Sequence, residues 1–579
     1  KPVSVIEDTA VAPERLPAYM KDFGEMLERL GLKCVYHAHI STGELHLRPV
    51  LNLKDENDRV LFRRVAEETA RLVKKHRGSL SGEHGDGRLR GEFIPLLFGE
   101  KVYGLMQETK VCWDPEGVFN ARKIVNTPPM DTSLRYEVGD SDVACRTYFD
   151  FSKEKGWLCA IEQCNGSGDC RKSYAFGGTM CPSFRATREE SHTTRARANT
   201  LRELITHPRT KKIYDQREIL EVLDTCVSCK ACKSECPSNV DIARFKAEFL
   251  QQHYDVCGVP MKAFLIARLT EIQRLGTILP WFYNAIVRNR MTGNMLKRVL
   301  HFAPKRTIPT LYKTTLKHWL GRYRQKNRAE TVRKVFLFAD EFTNYMDVEI
   351  GIKMIELLDW LGYEVIIPKH VESGRTSISK GMLKVAKGVA RENVLLLKDL
   401  VTENIPLVGI EPSCILSFRD EYPDLVGEDL KEEAVRLGKN CLLYDEFFIR
   451  EIRAGRIQAE QFTDQPLKIM LHGHCHQKSL ASVEPSREML SLPVNYSVEV
   501  IPSGCCGMAG AFGYEKKHYE LSMKIGEQVL FPAVRGAGEN VCISAPGTSC
   551  RQQIKDGTGK QALHPIEVLY EALKCTKEK

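Results

Sequence analysis

Residues 226–237 read CVSCKACKSECP. Cys226, Cys229 and Cys232 are each separated by two residues, and turns at that spacing keep three sulfurs on one side, where they can converge on one iron–sulfur cubane. Cys236 precedes Pro237 and is thrown outward, the place of a ligand to a neighbouring cluster. Four thiolates also suit structural zinc, but the spacing and the closing proline favour iron–sulfur chemistry. A chain that holds such a group transfers single electrons.

The next cysteines upstream lie in CNGSGDCRKSYAFGGTMCP, residues 164–182. Cys164 and Cys170 end a run whose middle position is Ser167, and Cys181 precedes Pro182. Together the two loops make a paired arrangement in which the last cysteine of each crosses over. One cluster then takes Cys164, Cys170 and Cys236. The other, a [4Fe–4S] cluster, takes Cys226, Cys229, Cys232 and Cys181. The three-thiolate site leaves one corner to the Ser167 hydroxyl, to water or to nothing, and is expected to be three-iron or labile. The competing reading is a degenerate loop without metal. The 55 residues from Cys181 to Cys236 carry helical pattern at 188–207 and 217–225. That favours an all-helical, ferredoxin-like two-cluster domain over a compact β-rich ferredoxin.

Composition fits this setting. A length of 579 residues suggests three to five domains. The 20 cysteines fall in CxxC runs and a CC pair, which indicates metal ligands in a reducing, cytoplasmic compartment rather than disulfides. The first residues, KPVSVIEDTAVAPERL, have no signal-peptide pattern. The longest uncharged apolar stretch, 275–287, is too short to span a bilayer as a helix. Of the net charge of +9, residues 251–330 more than supply the excess, with fifteen Lys/Arg against three acids. Helical pattern is expected there at 261–276, 291–304 and 310–330. With Trp281, Phe282, Trp319 and Tyr323 among the charges, this segment suits an anionic membrane surface, such as the cytoplasmic face of the inner membrane, or an acidic partner. The plain alternative is a solvated surface on helices that support the clusters. Nucleic acid is not expected, because no reading motif accompanies the charge.

Five segments follow: 1–126 of mixed β and helical pattern, a linker at 127–150, the helical cysteine region at 151–330, and two α/β copies at 331–460 and 461–579. The copies form a degenerate repeat. VRKVFLFAD at 332–340 matches PLKIMLHGH at 466–474. Glu341 stands where Cys475 stands, Glu372-Ser373-Gly374 aligns with Cys505-Cys506-Gly507, and Cys414 aligns with Cys550. The intervals are 31 and 30 residues, then 42 and 45. Cys475, Cys505, Cys506 and Cys550 in the second copy are expected to hold a metal or an unusual cluster; a redox-active thiol site and plain reduced thiols are the alternatives. The first copy keeps only Cys414 and is expected to hold none. Cys34, Cys112, Cys257, Cys441 and Cys575 are read as ordinary cysteines.

Near the start, CVYHAHISTGELHLRP (34–49) carries His37, His39 and His46, and GSLSGEHGDGRLRGEF (78–93) carries Glu83, His84 and Asp86. STGE is a turn signal, and a hairpin there returns His46 to His39. Two imidazoles and Glu83 then fill three positions on a divalent ion such as zinc or manganese, with His84 beside it as a general base. Strand histidines held by ordinary hydrogen bonds are the equal alternative.

These histidine and GEHG motifs resemble the end of the FAD-linked oxidases of the vanillyl-alcohol-oxidase fold, especially D-lactate and D-2-hydroxyglutarate dehydrogenases. The resemblance implies metal ligands at His39, His46 and Glu83, and a proton acceptor at His84. It places Asn120 and Lys123 of FNARKIV near the flavin. This sequence departs from the family pattern at Ser41-Thr42, at Glu44 in place of asparagine, and at NARK. Residues 151–579 resemble the iron–sulfur subunit of glycolate oxidase and the cysteine-rich CCG domains found with it. The family's FAD-binding domain precedes the histidine motifs, so the chain reads as the C-terminal part of a longer fused polypeptide.

The function implied is oxidation of a D-2-hydroxyacid (D-lactate, glycolate or D-2-hydroxyglutarate) to the 2-oxoacid. FAD and iron–sulfur clusters would pass the electrons to quinone or an acceptor protein. Arg48 is a candidate partner for the substrate carboxylate, or a structural surface residue. The alternative for this chain is a non-catalytic electron-transfer module that lacks the FAD-binding domain.

Overall fold

The computed structural model describes residues 2–139, 146–325 and 333–574. The middle of the 127–150 linker, the end of the basic segment and Cys575 lie outside the described residues. The chain divides into two compact units, Lys1–Ser141 and Asp142–Lys579.

The first unit is an antiparallel sheet of strands β1 (Ile6–Ala10), β2 (Cys34–His39) and β3 (Glu44–Pro49) in the order β1-β3-β2. In β3 the sequence alternates, so Leu45 and Leu47 point to one face and Glu44, His46 and Arg48 to the other. The apolar face meets two helices. Leu16–Leu30 buries Tyr19, Phe23, Met26 and Leu27, and Glu56–Lys75 buries Phe62, Val65, Ala66, Ala70 and Val73. Steps of three and four residues put each set on one helical stripe. Asp55 caps the second helix, accepting from the Asp58 amide at 3.1 Å. These side chains share one core with Leu45 and Leu47. The opposite face of the sheet is left to polar residues.

The second unit begins with helices alone. Thr194–Thr206, capped by Thr193, and Arg217–Asp224 occupy the two helical patterns read between the cysteine loops. The basic segment forms Met261–Ala267, Leu269–Gly276, Pro280–Arg288 and Arg290–Val299. The helix expected over 310–330 is corrected: only Leu316–Leu320 is helical there among the described residues. The chain before it lies along copy one, where Tyr312 and Leu316 donate their amides to the carbonyls of Tyr345 (2.9 Å) and Asn344 (3.2 Å). Those bonds replace helical ones.

The α/β copies then supply two parallel sheets. Strands β4 (Arg333–Phe338), β5 (Tyr363–Ile366), β6 (Leu407–Gly409) and β7 (Cys441–Leu443) run in the order β5-β4-β6-β7. Strands β8 (Leu467–Leu471), β9 (Tyr496–Val500) and β10 (Val541–Ser544) run in the order β10-β8-β9. Val335, Leu337 and Phe338 of β4 are all buried, as a sheet covered on both faces requires. Residues of both sheets share one core that includes Val335, Leu337, Ile469 and Leu471. In each sheet, the chemistry-bearing residues follow the strand carboxyl ends, where such folds bind ligands.

The cysteine loop is fixed to this core by charge. Lys230, between Cys229 and Cys232, is 3% exposed, and its ammonium pairs with Asp420, also buried, and with Glu421 at 2.6 Å. Lys233 pairs with Asp420, and Arg375 with Glu421. Burial opposes ionisation of Asp420, but the two lysines outweigh it and hold its carboxyl well below the ordinary 3.8. Asp420→Asn is expected to lower stability by about 3 kcal/mol, read from a chemical denaturation midpoint. Because the folded group titrates below its unfolded value, its contribution is full above about pH 4 and fades as pH falls. The variant should lose that part of the acid sensitivity. An unchanged midpoint would contradict the anchoring role.

Candidate functional site

In the first unit, β2 and β3 pair in a register that sets His37 opposite His46 and His39 opposite Glu44. The hairpin closes through the turn Ile40–Thr42 and Gly43 at φ +76°. A Cβ on Gly43 would stand 1.8 Å from the Val11 carbonyl oxygen, so the turn needs glycine. The His39 and His46 rings meet edge-on at 5.2 Å, and His84 stacks on His46 at 5.5 Å. His39, Glu44, His46 and Glu83 each present a ligand-type atom, all within 4.8 Å of one another. The structure thus brings together the three residues read as ligands and adds Glu44, which the motif comparison had set aside as a departure. Glu44 Oε1 is buried without a hydrogen-bond partner. A Cβ on Gly82 would lie 2.9 Å from that same oxygen, so the close approach of the GEHG loop depends on glycine.

Asp8 holds this loop. β1 bulges between Glu7 and Thr9, which puts Asp8 at φ +87° with its side chain fully buried. Its carboxylate accepts from the Ser81 hydroxyl and from the amides of Glu83 (2.8 Å) and His84 (2.9 Å). Arg90, buried, donates to the carbonyls of Glu7 and Gly85. Burial opposes ionisation of Asp8, yet these bonds outweigh it and hold its pKa at about 2. The hydrogen bond shared with Asp8, followed by burial, raises the carboxyl of Glu44. No sequence signal marked Asp8, because a bulge on a short edge strand leaves none.

Arg48 is half-exposed and pairs with Glu7 across β1 and β3. Asn120 is exposed at φ +48°, and Lys123 is half-buried. Their segment docks beside the GEHG loop through the Ile124 amide, which donates to the Gly87 carbonyl at 2.7 Å.

In the second unit, Cys164, Cys170, Cys181, Cys229, Cys232 and Cys236 are buried and Cys226 is half-buried. Cys170 and Cys181 hydrogen-bond to one another, Cys181 also faces Cys232, and Cys232 faces Cys226. Cys181 accepts from the Thr194 amide at 3.1 Å, while Pro182 opens the helix Pro182–Thr187. Ser167 is exposed, and its hydroxyl bonds Asp169.

Cys475, Cys505, Cys506 and Cys550 form a buried chain of thiols, 475 to 505, 505 to 506 and 506 to 550. Three features here escaped the sequence reading. His472 reaches the site with Cys506 and Cys550, its ligand-type atom within 4.8 Å of theirs. The Lys478 ammonium, half-buried, donates to the carbonyls of Ser503 and Gly504. Glu411, at the end of β6 in copy one, accepts from the Thr548 amide at 2.9 Å and so caps the helix that carries Cys550. The HGHCH pattern was the one available signal for His472. The thiol site also touches the cluster loop: His476 Nε2 lies 3.0 Å from the Ser228 carbonyl oxygen, and Ser479 donates to the Cys229 carbonyl at 3.1 Å.

Copy one keeps the alignment in a different chemistry. Glu341 accepts from the Ser373 amide (2.9 Å) and hydroxyl (2.7 Å), and Asp340, Glu341 and Cys414 cluster within 4.8 Å. Burial, then repulsion by Glu341, pushes the Asp340 carboxyl up to about 8. Cys257, read as ordinary, stands at the surface with Asp215 and His253 within the same limit.

Residues 1–124 match the family described as FAD linked oxidases, C-terminal domain, and residues 163–241 match the 4Fe-4S dicluster domain. Over 99% of its length the chain is 27% identical to the D-2-hydroxyglutarate dehydrogenase of Escherichia coli (strain K12). The corresponding protein of Pseudomonas putida is 28% identical over the same share. The chain spans 59% of the length of each of these relatives. A component of the anaerobic glycerol-3-phosphate dehydrogenase of Escherichia coli (strain K12) is 26% identical over 58% of this chain and 83% of its own length. The resemblance read from the motifs therefore stands, and it runs through flavin-oxidase and cluster regions alike. A stand-alone electron-transfer module is not favoured.

Asp8→Asn should cost about 2 kcal/mol near neutral pH, because a group lowered from 3.8 to about 2 stabilises the fold by roughly that amount. The contribution is complete above about pH 4 and disappears as pH falls through about 2. Amide exchange at Glu83 and His84 should quicken in the variant, and unchanged exchange there would contradict the role given to Asp8.

Proposed function

We propose that the whole protein of which this chain is part oxidises a D-2-hydroxyacid, of the D-lactate or D-2-hydroxyglutarate kind, to the 2-oxoacid. The observation that carries this reading is the convergence of His39, Glu44, His46 and Glu83, with His84 stacked against His46. Two imidazoles and two carboxylates suit zinc or manganese, and the unpartnered Glu44 oxygen is an atom that a cation would satisfy. The buried cysteines likewise suit iron. When bound, the cation supplies Lewis acidity at the substrate hydroxyl and carboxylate, the flavin a hydride acceptor, and the clusters one-electron carriers.

The chain's own residues do the rest. His84 takes the hydroxyl proton. Its Nε2 lies 3.2 Å from Glu83 Oε1 and its Nδ1 4.0 Å from Asp8, so the ring is held between two carboxylates. Arg48 exchanges Glu7 for the substrate carboxylate. Asn120 and Lys123 face the flavin. Cys226, Cys229, Cys232 and Cys181 hold a [4Fe–4S] cluster; Cys164, Cys170 and Cys236 hold a three-iron or labile one; and Cys475, Cys505, Cys506 and Cys550 hold a further metal centre.

Among the described residues, no helix is long and apolar enough to cross a membrane. The basic helices and the turn between two of them nonetheless expose Trp281 (69%), Met291 (82%) and, in the turn, Ile278 (73%) beside Arg288 and Arg290. Apolar wedges among cations suit an anionic bilayer. A seat on the cytoplasmic face of the inner membrane would bring the thiol centre to quinone.

In the full-length protein, anaerobic D-2-hydroxyglutarate, D-lactate or glycolate should bleach the flavin. His84→Asn should slow that bleaching by roughly 100-fold or more. Bleaching by none of the three acids would overturn the reading. Vesicles with anionic lipid should retain the protein at low salt and neutral vesicles should not. Trp281→Glu with Met291→Glu should abolish retention, and retention unaffected by either change would remove the membrane seat.

A further inference from the structure

The proposed function uses four thiols in the second copy and leaves one neighbouring group without a task. His472 follows β8 and is wholly buried. Its amide donates to the Ser544 carbonyl at 2.8 Å, which ties its backbone to β10. Its Nδ1 lies 2.7 Å from Ser503 Oγ. The Ser503 hydroxyl donates in turn to the Ile501 carbonyl at 3.4 Å, so the serine accepts the proton of Nδ1. That pairing fixes the tautomer and leaves a lone pair on Nε2. Nε2 is buried, and besides Ser503 the ring hydrogen-bonds the Cys506 thiol. His472 offers one ring nitrogen to a group in which the ligand atoms of His472, Cys506 and Cys550 all lie within 4.8 Å of one another.

The other two imidazoles of HGHCH are engaged elsewhere. His474 Nδ1 accepts from the His476 amide at 3.2 Å, and its Nε2 lies 3.9 Å from Glu411. His476 Nε2 bonds the Ser228 carbonyl. A ring held by a hydroxyl at one nitrogen and turned with the rest of its edge onto the Cys506 thiol has the arrangement of a metal-ligating histidine and the partner that orients it.

We infer that His472 Nε2 is a nitrogen ligand of the centre held by Cys475, Cys505, Cys506 and Cys550, with Ser503 as its positioning residue. This rests on the reading that the second copy holds a metal centre. Four thiolates and one neutral imidazole exceed the four positions of a tetrahedral zinc site, and they suit a multi-iron centre whose irons differ in their ligands. A neutral nitrogen donor makes such a centre easier to reduce than a thiolate in the same place would.

The test uses full-length protein purified anaerobically and poised with its centres paramagnetic. Pulsed EPR on protein made with ordinary and with 15N-labelled histidine should show a strongly coupled nitrogen that changes with the isotope. That measurement needs no variant. In His472→Gln the coupling should vanish while most of the iron at the centre remains. In His472→Cys the iron should remain and the reduction potential should fall. A centre that is present but has no strongly coupled histidine nitrogen, or a coupling that survives His472→Gln, overturns the inference. A Cys505→Ser, Cys506→Ser double variant with undiminished iron removes the copy-two reading itself and this inference with it. Loss of iron in that double variant together with no histidine coupling in the wild type removes the inference alone.

Discussion

The second unit depends on a lysine carried into its interior. Lys230 sits between two cysteines of the cluster loop, and its charge is tolerable only because Asp420 and Glu421 face it. Those acids belong to the first α/β copy, while His476 and Ser479 hold the same loop from the second. The loop is therefore gripped from two sides. Cys229, Cys232 and Cys236 are kept dry and the loop is held next to the Cys475 site, a placement that short-range electron transfer between the two would need.

The first unit obeys a comparable constraint on a smaller scale. One bulge in β1 turns Asp8 into the left-handed region and aims its carboxylate at consecutive amides of the GEHG loop. The loop then carries Glu83 and His84 over the polar face of β3, where the His39–Glu44 and His37–His46 pairs stand. A strand that alternates leucine with Glu44, His46 and Arg48 both closes a core and furnishes a site.

Much of this was legible before the structure. Cysteine spacing marked the loops, turn chemistry at STGE marked the hairpin, and runs such as KVFLF and KIML marked the parallel strands. What escaped was determined by three-dimensional neighbours. Asp8 matters through its backbone conformation, Glu411 through a cap on a helix of the other copy, and His472 through a serine 31 positions away. The helix expected over 310–330 failed for the same reason. Its apolar and basic residues alternate in a helical pattern, but Thr310, Thr314, Thr315 and Gly321 are weak helix formers, and backbone partners at Asn344 and Tyr345 outcompeted local bonds. Cys170 and Cys181 stand within hydrogen-bond reach of one another, a neighbourhood that spacing alone does not announce.

The central claim is that one polypeptide joins hydroxyacid oxidation at the His84 site to electron carriers in the cysteine-rich unit. Rapid-freeze EPR of the anaerobic full-length protein, mixed with D-2-hydroxyglutarate or D-lactate, tests it most directly. The account predicts that reduced-cluster signals grow in as the flavin is reoxidised within one turnover, with no added mediator. Flavin that is reduced and stays reduced while every cluster remains oxidised would contradict it.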